Sequence, residues 1–562
     1  MTSISNSRAV RHIHKAVWRT TWVLLALAPA IFLGIFFAWP TVTLVLRGFI
    51  SEGGIDMSAF QEVFARRRTW RLIFLTLGMA TSATALSIAL GLPAAHTLYL
   101  RTFPGRTLLR GLVSVPFVLP AVVVGVAFRS LLDAQGPLGF LGISGGPVSI
   151  VLAMVFFNFP LVVRIVGSFW LRLDNRPTHV ARALGATPTR AFMTVTLPAL
   201  LPSIGAAGAV VFLFCATSFG LVLVMGGTSV GTIETEIYIL TTQFLDLRGA
   251  AVLSVVQLIV VIACLALAAK MSANTPSKTL DIRNISQPLS LRDTVPASIT
   301  FLITTLLLAL PLVTLAWRSL HRAGTFTLDN FLDLGRETPG GVLQTTVLRA
   351  VLNSIQIALV AAVIAVFIGI AVSLVVTRRP HNLIARATAK ALDAAFMLPL
   401  GVSAVTVGFG FLITLVHPPF DLRASWWIVP LAQAVVAIPL VIRNITPVLR
   451  AIPRRQYEAA AVLGANAPRR LLTIDWPYLW RASSIGLGFA LAMSLGEFGA
   501  TSFVARPATP TLPIAIFRLM SRPEPQFQGM ALAASILLSA LAAAIMVLAE
   551  RLNTVNTLGS YR

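Results

Sequence analysis

Apolar runs of about twenty residues recur along the whole chain, separated by short polar segments. The hydrocarbon core of a bilayer is about 30 Å thick, and about 20 apolar residues cross it as a helix. About twelve such runs lie near 20–48, 72–99, 110–133, 147–170, 201–226, 249–269, 295–317, 350–376, 391–416, 425–446, 482–504 and 528–549. The chain has 562 residues, of which 56% are hydrophobic and 11% charged. So few charges are not found in a soluble domain of this size. The expected fold is an all-α polytopic membrane protein of about 12 transmembrane helices, in two tandem six-helix units.

The net charge is +24. In a soluble protein that value suggests nucleic acid. Here the basic residues fall between spans, so no nucleic-acid partner is expected and the charge sets orientation. Arg8, Arg11, Lys15 and Arg19 precede the first span, and Arg101, Arg106 and Arg110 follow the second. Similar groups follow the fourth, sixth, eighth and tenth spans. All fall on one side of the membrane if both termini are cytoplasmic. The other side is mixed, with Glu234, Glu236 and Asp246 in one loop and Asp421 with Arg423 in another. Arg66, Arg67 and Arg68, in an outer loop, go against the rule.

The basic start followed by "ALA" at 26–28 permits a cleaved signal peptide, but Pro29 follows and the apolar run continues to Ala38. An uncleaved first span is expected. Cys215 and Cys264 both fall in spans and read as small core residues, with no metal site.

The chain repeats itself. "FPLVVR" ending at Arg164 matches "IPLVIR" ending at Arg443, an offset of 279. At that offset Pro120 falls on Pro399, Gly185 on Gly464, Pro198 on Pro477, and the "SFG" at Ser218 on the "EFG" at Glu497. A gap-free register over more than a hundred residues marks a tandem duplication. The first unit is assigned to 1–270, a polar cytoplasmic linker to 271–294, and the second unit to 295–562. Six spans per unit make the halves parallel repeats, related by an axis along the membrane normal.

Each half carries one segment too polar to span and too apolar for a plain loop, at about 178–198 and about 457–477. Tyr457 to Leu463 favour helix, Gly464 can end it in a left-handed conformation, and Pro468 fits the start of a second short helix. The expected product is two short helices around a sharp corner, displaying one helix for a groove on a partner.

"EAAAVLG…P" resembles the EAA loop of bacterial ABC-importer permeases. In that family the loop is a coupling helix that docks on the ATP-binding subunit. By resemblance Glu458, Ala459, Ala460, Gly464 and Pro477 take the motif positions. In the first copy Ala181, Gly185 and Pro198 match, while His179 stands for the glutamate and Val180 for the first alanine. That departure implies unequal roles for the two loops. Two halves fused in one chain resemble the thiamine and ferric-iron permeases. "MVFFNFPLVVR", "GGTSVGTIETEIY" and "SLGEFGATSF" look most like the thiamine branch, although "SLGEFG" is shared with sulfate and molybdate permeases. The resemblance implies as partners two copies of an ABC ATP-binding subunit and an extracytoplasmic substrate-binding protein, beside membrane lipid.

A phosphate-binding loop needs a Lys directly after Gly. The four lysines, Lys15, Lys270, Lys278 and Lys390, follow His14, Ala269, Ser277 and Ala389. The chain is therefore expected to be no enzyme and to hold no cofactor, with ATP and magnesium bound by the partner. Within the spans Glu497 is the clearest acid, with Ser218 as its repeat partner. It reads either as a pathway carboxylate for a cationic solute or as a cap on a turn beside Gly496 and Gly499. Phe219 and Phe498 accompany this pair. Pro120 and Pro399 either open the third spans to a cavity or only kink them. Asn158 is expected to hydrogen-bond across helices, and Arg164 and Arg443 to snorkel.

An ion-coupled secondary transporter shares the two-half layout, but needs more intramembrane acids or histidines and no docking loops. An intramembrane enzyme needs a cluster that is missing here. A permease moving thiamine is the expectation, with ferric iron as the alternative. Sulfate, polyamine or phosphonate follow further off.

Overall fold

The computed structural model describes residues 24–51, 54–227, 230–273, 287–322, 324–377, 383–416, 418 and 421–558. The basic N-terminal tail, most of the linker, Lys278, Arg378 and Arg379 lie outside the described residues.

The described chain is all-helical apart from three two-residue ladders. Among the described residues, nine helices are long and apolar enough to cross a membrane: Leu24–Phe49, Arg67–Leu100, Pro147–Trp170, Pro188–Ala216, Leu247–Leu267, Thr294–Ser319, Val347–Thr377, Ile428–Ala451 and Pro525–Ala549. The other three expected spans are also helical, but interrupted or more polar. The third runs of the two halves end in the short apolar helices Ala121–Leu132 and Ala404–Thr414. The eleventh is Trp476–Gly496, which carries Arg481. With these included, the helices account for about twelve spans.

Proline explains a recurring irregularity. Four of the five wide π turns among the described residues, Gly34–Ala38, Phe192–Thr196, Thr304–Ala309 and Leu471–Asp475, each end two residues before a proline: Pro40, Pro198, Pro311 and Pro477. Proline lacks the N–H for the bond to residue i−4, and its ring crowds that carbonyl. Widening the preceding turn relieves the crowding without breaking the helix.

The helices form two compact units. One holds Arg47–Ala350 and Leu512–Ala540; the other holds the described residues up to Leu46, Val351–Thr511 and those from Leu541 on. These units are not the sequence repeats. The helix Thr294–Ser319, after the linker, packs with the spans before it: Arg318 Nη1 donates to the Ser130 carbonyl at 2.7 Å, and Phe301 meets Phe103 at 5.8 Å. The first helix in turn shares a unit with later spans. A Cβ on Gly410 would lie 3.3 Å from the Pro40 backbone, and Phe36 meets Phe411 at 6.3 Å.

In each unit a glycine seats the second span of a half against the fourth. A Cβ on Gly91 would come within 2.7 Å of Val162, and one on Gly369 within 2.6 Å of Val441. Such close approach is how apolar helices gain packing in lipid, where no hydrophobic drive exists.

Two of the three arginines that broke the charge pattern have acidic partners. Arg68 binds Glu236 through two 2.8 Å hydrogen bonds, and Arg66 lies 3.7 Å from Asp246. Arg248 donates to Asp56 at 2.9 Å. The Asp56 carboxyl is held down to about 2, chiefly by the Ser58 N–H, then by the Ser58 hydroxyl and Arg248.

Candidate functional site: two matched loops

The two repeated segments turn their corners with the same backbone hydrogen bonds. The helices Arg176–Ala183 and Arg454–Val462 end at Gly185 and Gly464, with φ of 90° and 73°. Only glycine takes this left-handed state without strain. In the first corner Leu184 N–H donates to Val180, Gly185 to Arg182, and Ala186 to Ala181, at 3.0, 3.1 and 3.0 Å. In the second, Leu463 donates to Ala459, Gly464 to Ala461, and Ala465 to Ala460, at 3.0, 3.1 and 2.9 Å. The bond to the fifth residue back defines a Schellman cap, which satisfies carbonyls the helix end leaves open.

The next helix is also capped in register. Thr187 Oγ1 accepts from Arg190 N–H at 3.3 Å, and Asn466 Oδ1 from Arg469 N–H at 3.1 Å. The short helices Pro188–Ala191 and Ala467–Arg470 pass into the π turns and on to Pro198 and Pro477. Thus Gly185 and Gly464 set the corners, and Pro198 and Pro477 the feet.

Glu458 and Ala459 are exposed and Ala460 is half-buried; His179 is exposed and Ala181 half-buried. Pro198 and Pro477 are exposed too. The corners present apolar side chains outward. Leu184 and Leu463 are both 84% exposed, and Met193 and Leu472, also at matching positions, 55% and 64%. Exposed apolar groups rimmed by polar ones mark interaction surfaces.

The anchoring beneath differs. In the first loop Thr178 and Thr196 share a hydroxyl hydrogen bond at 3.2 Å. In the second the equivalent residues are Tyr457 and Asp475, whose O–H and carboxylate meet at 2.5 Å. The first loop also has an aromatic brace. Phe192 stacks on Trp170 at 5.9 Å, and Trp170 meets His96 at 5.3 Å. His96 lies 3.1 Å from Asp293, which also binds Arg101 at 3.0 Å and accepts from the Ser290 N–H and hydroxyl. Burial raises the Asp293 carboxyl, but these bonds outweigh it and hold the group down to about 2. None of these pairs was visible in sequence.

The fifth spans of both halves break at the same register. Leu197–Ala216 resumes as Gly220–Gly226, and Trp476–Gly496 resumes as Thr501–Val504. Ser218 and Glu497 sit in the breaks, followed by the buried Phe219 and Phe498. Glu497 caps the resumed helix: it accepts from the Ala500 N–H at 2.7 Å, the Thr501 N–H at 3.0 Å and the Thr501 hydroxyl. The capping alternative therefore describes what its carboxylate does in this structure. Gln433 Nε2 donates to the same threonine at 3.1 Å, and in the other unit Gln257 Nε2 donates to the Ala216 carbonyl at 3.1 Å.

The third spans break near their prolines, four residues out of register. Pro120 caps the helix Ala121–Leu132 with extended backbone. Pro399 lies in a tight turn, and the helix starts only after Ser403, whose hydroxyl accepts from Val405 N–H at 3.1 Å. Asn158 Nδ2 reaches Cys215 on the neighbouring helix at 3.3 Å, so it does bridge two helices. Arg164 and Arg443 are exposed.

Fold and loops together define a multi-pass membrane protein with two matched, outward-facing loop knobs. No family model matches the chain. It is 27% identical over 513 residues to the thiamine transport system permease protein ThiP of Brucella abortus, covering 89% of this chain and 90% of that protein. It is 26% identical over 473 residues to the Salmonella typhimurium protein of the same name, covering 82% and 85%. A probable ABC transporter permease of Sinorhizobium fredii is 24% identical over 568 residues, covering 92% and 95%. The chain is therefore similar to these permeases along nearly its whole length.

Proposed function

We propose that this chain is the transmembrane permease subunit of an ATP-driven importer in a bacterial inner membrane, and that its solute is thiamine. The carrying observation is the pair of loops, with the same cap, the same corner and the same π turn before proline at an offset of 279 residues.

In this reading both termini and both loops are cytoplasmic. Each loop docks on one of two ATP-binding subunits, which hold the ATP and magnesium. Glu458, Ala459 and Ala460, with His179 and Ala181 in the first copy, lie on the docking helices. A substrate-binding protein delivers the solute from outside. Closure of the ATPase pair drives the two loops and so switches access to the pathway. The breaks at Ser218 with Phe219, at Glu497 with Phe498, and beside Pro120 and Pro399 line that pathway, because non-helical backbone at membrane depth is tolerated only where protein or a cavity covers it. The thiamine assignment is supported by the names of the relatives over about nine-tenths of the chain.

Uptake of labelled thiamine and labelled ferric iron by cells with and without this gene tests the reading. Loss of thiamine uptake alone is expected. Loss of iron uptake alone keeps the importer and overturns the solute.

A further inference from the structure

The two loops differ most where their arms are tied together. Tyr457 lies on the exposed helix, seven residues before the corner glycine, and Asp475 lies on the π turn, eleven after it. Thr178 and Thr196 occupy the same two positions in the first loop. Each pair spans the hairpin from the displayed helix to the foot of the fifth-span helix.

The chemistry is unequal. Asp475 is 1% exposed, and a buried carboxylate is costly unless it is hydrogen-bonded. The tyrosine O–H supplies a charge-assisted bond, about twice as strong as a neutral one. Its 2.5 Å length fits that class, whereas the threonine pair at 3.2 Å is an ordinary neutral contact. The bond from Gln456 to Tyr478 at 3.2 Å also spans the second loop, and it is exposed to solvent.

We infer that Tyr457 and Asp475 form a latch that fixes the angle of the second docking helix to its membrane helix, so that this loop works as a stiff lever. The inference rests on the coupling-loop reading. The pair touches no solute; both are positioning residues, and their loss uncouples ATP hydrolysis from uptake without preventing either subunit from assembling. The first loop, tied by two threonines and braced by aromatic stacking, is the more compliant arm.

The test uses the complete transporter in vesicles, with its ATP-binding subunits and binding protein, and reads thiamine taken up per ATP hydrolysed. Tyr457→Phe keeps the ring and removes one hydroxyl. It lowers the ratio about tenfold, the scale of a hydrogen bond to a charged group. Asp475→Ala does the same, and the double variant is no worse than the poorer single one, as residues acting as one unit require. Asp475→Asn, whose amide oxygen still accepts the tyrosine O–H but without the charge, lowers the ratio by less than Asp475→Ala does. A normal ratio in Tyr457→Phe, or additive losses in the double variant, overturns the latch. Gly464→Val separates the two ideas, because it leaves both latch residues in place. If it transports normally, the coupling-loop reading falls and the latch with it. If it is inactive while Tyr457→Phe is normal, only the latch falls.

Discussion

The first and second loops share the backbone of their corners and differ in the side chains that tie their arms together. Gly185 and Gly464 turn the same corner, and Pro198 and Pro477 follow the same widened turn. Beneath them, one loop rests on Trp170, Phe192 and a threonine pair, and the other on a tyrosine–carboxylate bond. The shape of such a knob is set by residues with special backbone properties, while many side-chain combinations can hold it. The loop that departs from the motif at His179 and Val180 still folds as a complete corner. Its departure therefore concerns what it presents rather than its shape.

The largest expected effect comes from the corners. No atom lies within 4 Å of a Cβ built on Gly464 or Gly185, so a side chain there meets no clash, and the penalty is backbone strain alone. Holding a β-branched residue in the left-handed region costs about 1–3 kcal/mol, enough to unwind a marginal surface corner. Gly464→Val and Gly185→Val should each abolish uptake while the protein stays in the membrane, as an uptake assay with membrane blotting will show. Retained uptake in only the Gly185 variant would show that one loop suffices.

Next come the two breaks. Glu497→Ala strips the acceptor from two backbone N–H groups and should cost about 2–4 kcal/mol, read as a fall in the thermal midpoint of the purified protein. Ser218→Ala at the matching position should stay within about 0.5 kcal/mol. Equal shifts would erase the contrast between capped and uncapped break.

The Asp293 anchor belongs only to the unit that holds the first loop. Its folded carboxyl lies near 2 against an ordinary 3.8, so the stabilisation it gives is present above 3.8 and is lost as pH falls through about 2. Asp293→Asn should remove that part of the acid sensitivity, measured as stability between those two values. The smallest effect is Thr178→Val, which removes one neutral hydrogen bond worth about 1 kcal/mol and should lower uptake about threefold or less.

Much of this was legible beforehand because it follows local rules. Apolar runs of about twenty residues gave helices. A helix-favouring stretch ending at Gly464, with Pro468 after it, gave the corner, and the offset of 279 gave the pairing of loops and breaks. What was hidden depends on distant partners. His96 and Asp293 are 197 residues apart, and Arg68 and Glu236 are 168 apart. Neither pair leaves a periodic trace. The grouping of Thr294–Ser319 with the earlier spans is equally invisible, because an apolar helix carries no mark of the neighbour it will choose. Glu497 shows the opposite limit: its position was legible, but its partners are backbone groups, whose geometry decides between cap and solute contact.

The central claim is that both knobs sit against ATP-binding subunits, and it has a direct test. A photo-crosslinking amino acid is placed at Leu463 or Leu184, both 84% exposed at the corner tips, and the assembled transporter is irradiated. The account predicts an adduct with the ATP-binding subunit from each position. Assembly of the transporter with no adduct from either would contradict it.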